Sequence, residues 1–245
     1  MRLRHALVAA VCGALAVLPS ASAQTRLTVF AASSLTDVLP QLAPGNLYSF
    51  GGSDALATQL EQGAPADLFA SANSSLPAKL HARGIVERPV AFTRNALVVV
   101  VPASNPAHIT GVRDLARRGV SVDVAAASVP VGGYTQKVLA RLGLAKQVNA
   151  NVVSRETDVR TVLAKVSLGQ ADAGFVYATD ARTVAKKVHV IRIPASAQPN
   201  VTYAIAVVTK STHQAAARAL VDRLRGKAGQ ALLARYGFLP LARGT

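Results

Sequence analysis

The chain has a single cysteine, Cys12, and no tryptophan. That thiol lies where Arg2, Arg4 and His5 precede an apolar run from Ala6 to Leu18 and Ala21-Ser22-Ala23 offers small residues for cleavage, the pattern of a secretory signal peptide. The run is too short for a membrane anchor, and Pro19 breaks it. Val11 is not the small residue expected before a lipidated cysteine. Residues 1–23 are therefore expected to be removed near Ala23. The mature protein, starting near Gln24, would be periplasmic or otherwise secreted, with no thiol for disulfides, zinc–thiolate sites or cysteine catalysis.

Acidic residues are also scarce, 12 against 27 Lys and Arg, for a net charge of +15. Such an excess suits nucleic acid, an acidic surface or a small anion. Export, an aromatic content of only 4% and the even scatter of Lys and Arg speak against nucleic acid. No second apolar run is long enough to cross a bilayer. His81, His108, His189 and His213 stand far apart with no ligand spacing, so a metal enzyme is not indicated. The remaining length supports one large domain or two lobes.

What is present is one device used repeatedly. Phe50-Gly51-Gly52-Ser53-Asp54-Ala55 reads as a strand end, a glycine turn that lets backbone approach a ligand, and a helix capped by Ser53. Such a helix start points free N–H groups out of the turn, an anion site without a charged side chain. Ala31-Ala32-Ser33-Ser34 opens a helix in which Ser34 and Asp37 form a shortened capping box, ended early by Pro40. Val129-Pro130-Val131-Gly132-Gly133 is a third such turn, with a plain loop as the alternative. Thr157 is the expected N-cap of a fourth, with Asp158 in its first turn. Ala171 to Asp180 reads as a buried strand presenting Tyr177, either as core or toward a ligand.

In order, the first part of the chain runs β-α-β-α-β-α, the signature of a parallel sheet with helices on both faces. Ala91 to Pro102 reads as one long extended crossover into a second lobe. Val120 to Ala126, Val148 to Ser154 and Val188 to Ile193 are expected strands. Val201 to Val208 returns toward the first lobe, before helices over Thr212 to Arg225 and Lys227 to Tyr236. Lobes joined by crossing strands permit hinge closure.

Taken together, Ala31-Ala32-Ser33-Ser34-Leu35-Thr36, the run from Ser53 through Gly63-Ala64-Pro65-Ala66-Asp67-Leu68-Phe69, Val129 to Tyr134, Glu156-Thr157-Asp158-Val159-Arg160, Gly174 to Tyr177 and Tyr236-Gly237-Phe238 resemble the periplasmic molybdate-binding proteins of ABC transporters. The resemblance spans nearly the whole mature chain. It implies an α/β, two-lobed periplasmic binding protein (type II) fold, each lobe a mostly parallel sheet flanked by helices. The expected layout is lobe 1 over 24–94, lobe 2 over 95–203 and a return to lobe 1 over 204–245. It further implies a non-enzymatic monomer without a cofactor that captures molybdate, and tungstate with it, for a membrane-embedded ABC permease. Ser34 and Ser53 would donate from the first lobe; Val131 and Val159 through backbone N–H, and Tyr177 through its hydroxyl, from the second. Neutral dipoles can hold a desolvated dianion and release it more easily than an ion pair would.

Two features depart from that family. The stretch between Leu35 and Phe50 is shorter than usual, and Asp54 places a carboxylate beside Ser53. Pointed inward it would repel molybdate and accept the proton of hydrogen phosphate, so phosphate, then sulfate, are the rival ligands; the helix dipole favours an outward orientation. A different class of function is a secreted serine hydrolase, with Gly51-Gly52-Ser53-Asp54-Ala55 one residue from a nucleophile elbow and Asp180 followed by His189 or His213 in the required order.

Overall fold

The computed structural model describes residues 25–241, so the signal-peptide reading and Cys12 lie outside the described residues. The first lobe begins with β1 (Thr28–Ala32), a 3-10 turn (Ser33–Leu35), the one-turn α1 (Leu39–Leu42) and β2 (Leu47–Gly51). It continues through α2 (Ser53–Glu61), β3 (Leu68–Ser71), α3 (Ser75–Ala82) and β4 (Val90–Asn95). The second carries β5 (Leu97–Pro102), a 3-10 segment (Val112–Ala116), β6 (Val122–Ala125), α4 (Pro130–Arg141), α5 (Ala145–Ala150) and β7 (Val152–Glu156). There follow α6 (Val159–Ser167), β8 (Ala173–Tyr177), α7 (Ala178–Thr183) and β9 (Val188–Arg192). The chain then returns through β10 (Val201–Val207) to α8 (Gln214–Arg225) and α9 (Lys227–Arg235).

The two sheets follow one plan, with strand orders β2-β1-β3-β10-β4 and β7-β6-β8-β5-β9. In each, three strands run parallel and a crossing strand, β10 or β5, lies antiparallel to both its neighbours. This is the two-lobed α/β fold expected. Asn95 closes β4 in the first sheet and Leu97 opens β5 in the second. The expected single stretch from Ala91 to Pro102 is thus two strands broken at Ala96. Asn95 makes the break, because its Oδ1 takes the Ala96 N–H at 2.9 Å in place of a ladder partner. The return strand pairs with the first sheet from Val201 onward, ahead of the expected change at 203/204.

The apolar pattern accounts for most of the packing. Val98 to Val101 are all buried, as a strand covered on both faces requires. Leu56, Ala57 and Leu60 turn one face of α2 onto Phe30, Phe69 and Leu80. The short segment after Leu35 still closes its side of the lobe. Leu35, Val38, Leu39 and Leu42 are buried, and the Tyr48 hydroxyl donates to the carbonyls of Leu39 and Ala43.

Three local expectations are corrected. Pro40 does not end a helix; it stands in the first turn of α1, where its missing N–H costs nothing. No capping box forms at Ser34, because only a 3-10 turn follows β1 and Asp37 is engaged elsewhere. Val148 lies in α5, and the strand starts only at Val152, since Val148 is needed inward, fully buried, on the core side of a short helix.

Candidate functional site

All the turns singled out in the sequence leave the carboxyl ends of parallel strands, the usual ligand edge of an open α/β sheet. Register puts them side by side: Ala32 pairs with Gly51, and Ala125 with Glu156. The lobes face each other through these edges, and one small cavity of about 10 Å³ lies between them, room for little more than a water-sized sphere. Ser34, Ser53, Val131, Val159 and Tyr177 all line it, with Ala32, Ser33, Gly51, Gly52, Ala72, Val129 and Pro130. No charged side chain is among them.

The three hydroxyls are held differently. Ser53 is the first residue of α2 and does not cap it; Gly52 is the N-cap. Its Oγ instead accepts the Ala72 N–H at 3.1 Å, so the hydroxyl hydrogen is free. Ser34 Oγ lies 2.7 Å from the Tyr203 hydroxyl, which in turn receives Asn95 Nδ2 at 3.4 Å. The Asn95 amide, fixed by Ala96, donates to Tyr203; in the Ser34–Tyr203 pair either hydroxyl can donate, and when Tyr203 does, the Ser34 proton is free for the cavity. Tyr177 Oη is buried with no hydrogen-bond partner. Burial, followed by the neighbouring Tyr203 and Tyr134, pushes its ionisation well above the ordinary tyrosine range, so it remains a donor. An unpartnered buried hydroxyl costs about 1–3 kcal/mol.

The backbone donors come from helix starts. Val131 follows Pro130 in α4 and precedes the Gly133-to-Val129 bond that closes the first turn. In α6 the N-cap is Asp158, not Thr157. Its carboxylate takes the N–H groups of Arg160 at 2.7 Å and Thr161 at 3.2 Å, which leaves the Val159 N–H outside the cap. Two of the glycines serve a different end from the one expected. A Cβ on Gly52 would stand 2.3 Å from the Thr157 carbonyl oxygen, and one on Gly132 2.0 Å from that of Ala126. At these positions the missing side chain makes room for neighbouring backbone.

Asp54 does not line the cavity, nor does it simply face solvent. It lies at the lip, where Oδ2 accepts the Ser128 hydroxyl of the other lobe at 2.6 Å. The hydrolase constellation is not assembled. His213 Nδ1 sits 3.2 Å from Asp67, Asp180 pairs with Arg160, and no histidine lines the cavity. Cationic side chains remain outside. Arg182 and Arg235 line a 520 Å³ cavity that shares Ser34, and Lys79 and Lys137 line a 390 Å³ groove that shares Val129 and Pro130.

Sequence reasoning missed Tyr203, Asn95 and Ala72. Tyr203 sits within a buried strand and packs edge-on to Tyr177, Phe92 and Phe238, so its pattern is that of core. Ala72 contributes only backbone. Neither leaves a mark in one sequence.

The chain is similar to known proteins over almost all of the described residues. The family model of bacterial extracellular solute-binding proteins matches residues 27–239. The molybdate-binding protein ModA of Mycobacterium tuberculosis is 40% identical over 222 residues, covering 86% of this chain and 84% of that protein. ModA of Haemophilus influenzae is 33% identical over 236 residues, covering 89% and 92%. Among solved structures, the periplasmic molybdate-binding protein of Azotobacter vinelandii superposes with a TM-score of 0.79 at 22% identity, covering 89% of this chain and all of that one. The sulfate-binding protein SubI of M. tuberculosis gives the same score and identity, covering 89% and 88%; at that identity the two structures speak for the fold alone. A cleft of uncharged donors between two like-built lobes, together with these matches, places the chain in the bacterial extracellular solute-binding protein family, among the molybdate-binding proteins of ABC transporters.

Proposed function

We propose that the protein captures molybdate, and tungstate with it, in the interlobe cavity and delivers it from the periplasm to an ABC importer, with no catalysis. The observation that carries this reading is the cavity lined by Ser34, Ser53, Val131, Val159 and Tyr177 and by no charged group. Its donors suit a fully deprotonated tetrahedral oxyanion, whose charge is spread over four acceptor oxygens. Hydrogen phosphate also needs an acceptor for its proton, and the one nearby carboxylate, Asp54, does not line the cavity.

Sulfate meets the same donor set, and a sulfate binder shares the fold, so the test is a competition. A ligand at a hundred times its Kd adds about 2.7 kcal/mol to folded-state stability, on the order of 5–10 °C in melting temperature for a chain of this size. Micromolar molybdate or tungstate should give that rise, with sulfate and phosphate weaker in titration. No shift with either metal oxyanion, or tighter binding of sulfate, would end the molybdate reading. Failure of a serine-directed reagent to label Ser53 would exclude the hydrolase.

A further inference from the structure

Arg160 follows Val159 in α6, yet its side chain turns from the cavity into the seam between the lobes. Nε lies 2.7 Å from Oδ1 of Asp180, a carboxylate with no exposed surface, and Nη1 lies 3.4 Å from Thr183 Oγ1. Nη2 bonds Asp37, which belongs to the opposite lobe and is 43% exposed. Each partner stands close in sequence to a cavity donor. Asp37 comes three residues after Ser34, Arg160 one after Val159, and Asp180 three after Tyr177. One guanidinium therefore joins the segments that carry three of the five donors, from both sides of the cleft.

The two carboxylates are not equivalent. Arg160 and Asp180 belong to the same lobe and stay together whatever the lobes do. Stripping the guanidinium from a fully buried carboxylate would strand a charge, so this half of the arrangement is needed for the lobe itself. Asp37 comes from the other side, and only closure brings it to Arg160. We propose that Arg160 is a positioning residue for ligand retention, a clamp held ready by Asp180 that engages Asp37 as the lobes shut on the anion and slows its release. The inference rests on the anion-binding function proposed above.

The informative substitution is Asp37→Asn, which keeps the shape of a partly exposed side chain and leaves Arg160 paired with Asp180. Stopped-flow tyrosine fluorescence with molybdate should show a dissociation rate raised about fivefold and an association rate unchanged. The ligand-free melting temperature should match the wild type, while the molybdate-bound one falls. Asp37→Glu, which restores the charge, should recover most of the slow release. If wild-type protein binds molybdate and D37N releases it at the wild-type rate, or if D37N lowers the ligand-free and bound melting temperatures equally, the clamp is refuted while the binding function stands. If the wild type takes up none of molybdate, tungstate, sulfate and phosphate, both fall together.

Discussion

Gly52 and Thr157 meet across the cleft so closely that a Cβ on Gly52 would lie 2.3 Å from the Thr157 carbonyl oxygen. The two belong to opposite lobes: Gly52 is the N-cap of α2, and Thr157 precedes Asp158, the N-cap of α6. Closure is thus limited by a backbone-to-backbone contact that only glycine allows. Gly52 itself has ordinary extended dihedral angles as N-cap of α2, and within its own lobe a Cβ would meet only Asp54 Oδ1 at 2.8 Å, the end of a side chain that can turn aside, so alanine is tolerated there when the lobes stand apart. For Gly52→Ala the expected outcome is an unchanged ligand-free melting temperature and a molybdate affinity reduced about 10- to 100-fold, the equivalent of an overpacking cost of roughly 1–3 kcal/mol. Calorimetric titration beside a thermal melt checks both halves.

Tyr177 offers a test in which stability and affinity move apart. Its hydroxyl is buried and unpartnered within the protein, so deleting it in Tyr177→Phe removes a desolvated group that nothing else in the chain satisfies. Ligand-free protein should melt no lower than wild type. A hydrogen bond to a charged acceptor is worth about 1.5–3 kcal/mol, so anion affinity should drop roughly 10- to 100-fold. Loss of ligand-free stability with affinity intact would mean that the ring serves only the core around Tyr203 and Phe238.

Much of this site could be read from the sequence because its donors are local. A small polar residue at a strand end and a helix starting just after it announce an exposed N–H wherever they occur, and all five predicted positions line one cavity. What could not be read depends on distant partners. Asp158 displaces Thr157 as cap because the loop meets α6 at an extended residue whose carboxylate reaches two N–H groups. Ser53 is freed from capping by Ala72, 19 residues away, and Ser34 is oriented by Tyr203, 169 residues away. Val148 and Pro40 failed for a different reason: a β-branched residue and a proline carry strong average preferences that one turn of helix can override when tertiary burial demands it.

Asp54 bears on selectivity. Oδ2 of its carboxylate accepts from Ser128, Oδ1 is buried without a partner, and the side chain does not line the cavity, so it should neither repel a dianion strongly nor receive the proton of hydrogen phosphate. Asp54→Asn is expected to leave the order of molybdate, tungstate, sulfate and phosphate unchanged in a competition titration, with each affinity altered by less than about threefold, as for a partly exposed polar contact. A selective loss of phosphate binding in the variant would show that the carboxylate swings inward when the anion enters.

The second lobe contains a pH-sensitive element beneath the cavity turns. Asp123, in the middle of β6, has no exposed surface, and neither carboxylate oxygen has a hydrogen-bond partner. Burial, reinforced by the charge of Glu156, raises its pKa to about 7. Burial would raise Glu156 as well, but hydrogen bonds from Lys165 and Ser154 outweigh it and hold that carboxyl low. Since Asp123 titrates higher in the folded protein than the ordinary value of about 3.9, its contribution to stability is full below pH ~4 and is lost as pH rises through about 7. Asp123→Asn carries no ionisable proton and keeps the shape. Its melting temperature relative to wild type should therefore climb steadily from pH 4 to 8, the advantage being greatest at the alkaline end. Asp180, raised to about 7 chiefly by burial despite Arg160, has the same sign and should preserve part of the wild-type slope in the variant. A melting-temperature difference that is flat across this range would mean that Asp123 is ionised throughout, its charge balanced by Lys165.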